Sequence, residues 1–122
     1  MGNCYEANLR LFLEMTAAGQ DVVLCHGIVV APSYYKHMKP GTQYMHCWVE
    51  ANSEEHGKTV HDYSDRLDGT PEYTWHLLEL FEETMNPRFV VRMGLEEVQY
   101  HIMTKEFYGA WDLHPEHKRC GR

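Results

Sequence analysis

Two short segments constrain this chain most. Residues 43–51 contain His46-Cys47-Trp48-Val49-Glu50, and residues 58–64 contain Val60-His61-Asp62-Tyr63-Ser64. Both read as strands, and each brings a chemically capable polar residue into a core-like pattern. Between them, Asn52-Ser53-Glu54-Glu55-His56-Gly57 has the polarity and the glycine of a hairpin connection. Side chains alternate along a strand, so a hairpin with Glu50 opposite Lys58 sets Trp48 opposite Val60, His46 opposite Asp62 and Tyr44 opposite Ser64, all on one face. That register is the expectation. A slip of one residue would bring His46 against His61 instead.

The remaining elements follow from local signals. Asn3 and Glu6 form an Asn-x-x-Glu pattern that resembles a capping box. The helix it opens is apolar nearly all round through Leu9, Leu11, Phe12, Leu13 and Met15, and it stops at Ala18-Gly19. Residues 22–30 are too continuously apolar for an edge strand. Residues 32–42 form a loop in which Tyr34, Tyr35 and His37 are candidates for ligand contact or for packing over the core. Pro71 sits where a helix first turn would begin, with Thr70 as cap, and Trp75, Leu77, Leu78, Leu80, Phe81 and Met85 give that helix a broad apolar face ending at Asn86-Pro87. Residues 89–91 suit a short strand, and Leu95, Val98 and Ile102 mark a last helix running to about Lys105. Helix, a run of strands, then helices is the order of an α+β fold. Residues 1–112 are expected to form a single domain and 113–122 a flexible tail.

Composition excludes some functions. The chain of 122 residues carries a formal net charge of -7, and its one basic cluster is His117-Lys118-Arg119, so nucleic acid and anionic membrane surfaces are poor partners. No apolar run suits a bilayer span and no secretion leader is visible, which leads to a cytoplasmic expectation. The start Met1-Gly2 lacks the Ser or Thr that myristoylation wants, since Glu6 stands there. Cys4, Cys25, Cys47 and Cys120 are irregularly spaced with no Cys-x-x-Cys pair, and four free thiols suit a reducing compartment.

Chemistry converges on Cys4, His46 and Asp62. A cysteine nucleophile needs an imidazole to take its proton, and the imidazole needs a partner to fix its tautomer. Cys4 falls at the first residue of the expected helix, where unpaired N–H groups and the dipole favour a thiolate. Its own backbone N–H is a natural oxyanion donor, with Asn3 the nearest side-chain candidate for a second. Trp48 is a further candidate to line the site, and His26, among apolar neighbours, reads as a core histidine or as lining the site beside Cys4. Taken singly, Cys4 and His46 read as half-buried packing residues, and the case rests on the three falling together. Cys25 and Cys47 read as core packing, and Glu50 as a cross-strand salt partner of Lys58.

Gly2-Asn3-Cys4 at a helix start, His46-x-Trp48-Val49-Glu50 on one strand and Asp62-x-Ser64 on the next resemble the transglutaminase-like branch of the papain-like cysteine hydrolase superfamily, over about half the chain. The resemblance implies a buried N-terminal helix carrying the cysteine, packed on a small antiparallel sheet with further helices after it. It also implies Cys4 as nucleophile, His46 as base and Asp62 as orienter in thiol-based acyl chemistry on a peptide or amide substrate, without a cofactor. The chain departs from the family pattern in having Cys47 where Ala is usual and Tyr5 where Trp is frequent. It is also short for protein cross-linking, so hydrolysis or deamidation through a thioester is the expected reaction.

The rival chemistry is a metal site. His114-x-x-His117-x-x-Cys120 has ligand-like spacing but falls in the expected tail with no neighbours to orient the ligands, and His61 and Asp62 point to opposite faces of one strand, so no metal is expected. The rival function is a binding or assembly module that keeps the fold without turnover, using the acidic balance and the aromatic loop as a partner surface.

Overall fold

A computed structural model describes residues 4–31, 39–65 and 71–104. The chain is α+β: α1 (Cys4–Ala17), β1 (Val22–Val30), β2 (Gln43–Ser53), β3 (Gly57–Asp65), β4 (Pro71–Leu77), α2 (Leu78–Met85), β5 (Arg88–Met93) and α3 (Leu95–Thr104). The strands form one five-stranded sheet in the order β4-β3-β2-β1-β5, with every neighbouring pair antiparallel. β1 to β4 thus run as a meander, and β5 returns to the far side of β1. The apolar run of β1 is accounted for by strands on both of its edges. The expected tail, 113–122, and most of the aromatic loop lie outside the described residues.

α1 ends in a Schellman motif. Gln20 N–H donates to Met15 O at 3.1 Å and Gly19 N–H to Thr16 O at 3.0 Å, and Gly19 takes the left-handed conformation this needs, with φ +83°. The helix buries one side only: Tyr5, Asn8, Leu9, Leu11, Phe12 and Met15 are covered, whereas Leu13 is 39% exposed. The burial on most of its circumference expected from its apolar residues is therefore not what the helix shows.

The segment expected to be one helix from Pro71 to Met85 divides in two. Tyr73, Trp75 and Leu77 follow a period of two, and β4 pairs them along β3 with His61 opposite Trp75. The helical spacing begins only at Leu78, and Phe81 is the residue α2 buries. Pro71 stands at the first residue of an edge strand, a position that needs no N–H for the ladder. Asn86, in the left-handed region with φ 45°, then ends α2.

Alternation sorts the core into two layers. Leu24, Ile28, Met45, Cys47, Val49 and Ala51 face α1, with Met93 and Val98 completing that cluster, so α1 packs on the face opposite Trp48 and Val60 and not on the face that carries His46. Cys25, Val29, Trp48 and Val60 face the other way and pack with Phe81 of α2. Among the described residues no helix is long and apolar enough to cross a membrane.

Candidate functional site

His46 and Asp62 meet. The β1–β2 register, with Gly27 opposite His46 and Cys25 opposite Trp48, places His46 on the face that α2 covers. His46 Nε2 lies 2.5 Å from Asp62 Oδ2, and the two residues are 5% and 8% exposed. An ionised carboxylate only accepts, so the Nε2 proton sits on His46 and leaves Nδ1 as the basic nitrogen. Nδ1 has no hydrogen-bond partner among the described residues.

The hairpin register differs from the expected one by two residues. Glu50 stands opposite Val60 and Lys58 opposite Asn52, and the strands close at Ser53 opposite Gly57. The turn is tighter than its polarity suggests. Ser53 Oγ accepts from the backbone N–H groups of Glu55 and His56, each at 3.2 Å, and Gly57 adopts φ +73°. Three residues therefore make the connection, and both strands extend into what reads as loop. A two-residue shift returns every side chain to its original face, so the His–Asp contact forms as a diagonal neighbour.

Glu50 accordingly has a different partner. Arg92 of β5 donates from Nε to Oε1 at 2.8 Å and from Nη2 to Oε2 at 3.2 Å, and Trp48 Nε1 donates to Oε2 at 3.1 Å. This clamp fixes the Trp48 indole, which stacks beside the His46 ring at a centroid distance of 6.0 Å and an interplanar angle of 25°. Phe81 closes on the indole at 5.1 Å. The indole also lies over Gly27, where an added Cβ would stand 2.8 Å from Trp48 Cη2.

The residue that sequence reasoning missed is Asn8. The last ladder pair between β2 and β3 on this side is Val49 opposite His61, and Asn8 of α1 reaches in beyond it. Its Nδ2 donates to Cys47 O at 2.9 Å, Tyr63 O at 3.1 Å and Asp62 Oδ1 at 3.1 Å, and its Oδ1 accepts from Tyr63 N–H at 2.9 Å. Two protons serve three acceptors, so one is shared. Asn8 is fully buried. A lone amide on the apolar side of a helix, four residues after Cys4, was the available signal.

Cys4 is the first residue of α1, one helical turn before Asn8; its thiol, and the whole of Asn3, lie outside the described residues. His26 is not beside His46. It stands opposite Cys47, on the α1 face, with its ring edge-on to Tyr5 at 4.9 Å. Burial, with the charge of His101 second, lowers its pKa from 6.5 to about 3. Cys25 and Cys47 are fully buried, and burial pushes both thiols up. No group of three metal-ligating side chains occurs among the described residues, and the His114, His117 and Cys120 set lies outside them.

A scan against protein-family models, a search of curated proteins and a search of solved structures each found no match for this chain.

Proposed function

We propose that the chain is a small cysteine-dependent hydrolase or acyltransferase of papain-like, transglutaminase-like type, acting on an amide or peptide bond through Cys4, His46 and Asp62. The observation that carries this reading is the Asp62 carboxylate. One oxygen holds His46 Nε2, and the other accepts from Asn8, one helical turn after Cys4 in α1. The helix that begins at Cys4 is thereby tied to the base and its orienter by a direct hydrogen bond. Its N-terminus supplies unpaired N–H groups and a positive dipole end, both of which favour a thiolate.

The chemistry follows from these parts. His46 Nδ1 takes the thiol proton, and Asp62 steadies the imidazolium without itself accepting the proton. The thiolate forms a bond to the amide carbon, the oxyanion is held by the backbone N–H of Cys4, and the C–N bond breaks as His46 returns the proton to the leaving amine. Water then attacks the thioester with His46 as base, or an amine does so and the acyl group is transferred.

The test is a library of peptide amides offered to the wild type and to Cys4→Ala, read by intact-protein mass and product release. A covalent acyl adduct on the wild type alone, released as acid or new amide, supports the proposal. A folded wild type that forms no adduct returns the chain to the binding-module reading.

A further inference from the structure

The face of the sheet that carries α1 holds a second feature, remote from the side on which His46 lies. Beyond the C-terminal end of α1, a row of rings stands on β3, β4 and the hairpin. Tyr63 and Tyr73 are 5.5 Å apart between centroids, Tyr73 and His61 6.0 Å, His61 and Trp75 6.4 Å, and Trp75 and His56 5.1 Å. Aromatic side chains this large are costly to leave wet, yet Tyr73 is 42% and Trp75 45% exposed.

Four of these rings, His56, His61, Tyr73 and Trp75, form one wall of a cleft of about 580 Å³, a volume in the range of small-molecule sites. The turn of Gly19, Gln20 and Asp21 forms the other boundary, and Ala51 and Thr59 lie between. Two of the rings, His61 and Tyr73, are held by hydrogen bonds. His61 has both nitrogens engaged, Nε2 with Thr59 Oγ1 at 2.9 Å and Nδ1 with Tyr73 Oη at 2.6 Å. Burial lowers its pKa, so the imidazole adds no positive charge at neutral pH. Among the described residues no lysine or arginine lines the cleft, and the one carboxylate is Asp21.

We propose that this cleft binds an organic cation, an alkylated ammonium group seated against Trp75 and Tyr73 with Asp21 as the counter-charge. Ring faces carry negative potential, and an ammonium whose hydration is softened by alkyl groups gains from them with little desolvation cost. A neutral ligand of the same shape would gain only the apolar contact. An anion would meet Asp21 and the ring faces, both unfavourable. The group could come from a free quaternary amine or from a methylated lysine of a protein, and the chemistry of recognition is the same.

The experiment is a titration of the full ¹⁵N-labelled chain with choline, with dimethylbutanol as its uncharged isostere, and with Nα-acetyl-Nε-trimethyllysine amide. The Trp75 indole N–H reports the site, and the buried Trp48 indole N–H reports the fold. Choline should shift Trp75 and bind about five-fold or more tightly than the isostere, and Asp21→Asn should weaken it about three-fold while leaving Trp48 unmoved. Tighter binding of the trimethyllysine amide assigns the natural source to a protein side chain, and tighter binding of choline assigns it to a free amine. Equal binding of choline and the isostere, binding unaffected by Asp21→Asn, or no shift at Trp75 overturns the proposal.

Discussion

Asn8 donates to Oδ1 of Asp62 at 3.1 Å, while the other oxygen of the same carboxylate holds His46. The same amide bridges the backbone of β2 and β3 where their ladder has ended. A helix on one face of the sheet is thus bonded to a pair whose imidazole lies on the other, through the opening between two strands.

Removing this amide should be expensive. Asn8→Ala leaves a backbone N–H and carbonyl groups buried without partners, and a loss of about 3 kcal/mol is expected in urea unfolding. Asn8→Asp keeps the shape but sets a second carboxylate against Asp62. Like charge raises the folded pKa of the introduced carboxylate above its unfolded value. A raised pKa contributes stability that is present at low pH and lost as pH rises, so the deficit of Asn8→Asp should shrink between pH 7 and about pH 4. A deficit independent of pH would show that the two groups do not meet.

Gly27 is a site of close approach. A Cβ there would stand 2.8 Å from the Trp48 indole and 3.3 Å from Val90. Phe81 and the bond to Glu50 hold the indole, so it cannot easily give way. Gly27→Ala should cost about 2 kcal/mol and change the near-ultraviolet circular dichroism of the tryptophan. An unchanged spectrum with full stability would mean that this face is loosely packed.

His26 should dominate the acid side of the stability curve. Its folded pKa of about 3 lies below the ordinary 6.5 because burial disfavours the imidazolium. The unfolded chain therefore binds the extra proton, and stability complete above about pH 6.5 falls as pH drops toward 3, by about 1.4 kcal/mol per unit well inside that window. His26→Gln should remove about one proton from the slope measured between pH 4 and pH 6. A slope identical to the wild type would place the titrating group elsewhere.

Two of the thiols should be silent. Cys25 and Cys47 are fully buried and their thiols are pushed above the ordinary range. Iodoacetamide at pH 8 should leave both unmodified in the native protein and label them only in denaturant, as peptide mass spectrometry would show.

Much of this was legible in the sequence, and the failures have physical causes. Parity carried the hairpin: the side that His46, Trp48, Val60 and Asp62 share survives a register error of two residues, because the strand period is two. The register itself depended on Ser53 and Gly57 making a three-residue turn, a matter of local hydrogen bonds that polarity does not reveal. Trp75 and Leu77 misled because a strand running straight into a helix leaves a continuous apolar trace, and the change of period at Leu78 is short. Glu50 found Arg92 and not Lys58 because β5 arrives from a distant part of the chain. His26, by the same alternation that put His46 opposite Gly27, takes the α1 face and is buried there, as a core histidine among apolar neighbours would be.

The most direct measurement of the central claim is the pH dependence of alkylation at Cys4 compared with Cys120, read by peptide mass spectrometry. A thiol at a helix start that passes its proton to an imidazole titrates below about 7.5, whereas an ordinary one titrates near about 8.5. The account predicts that Cys4 reacts at least about one unit lower in pH than Cys120, and that His46→Ala and Asp62→Asn each remove the advantage. Cys4 and Cys120 titrating together in the wild type would contradict it.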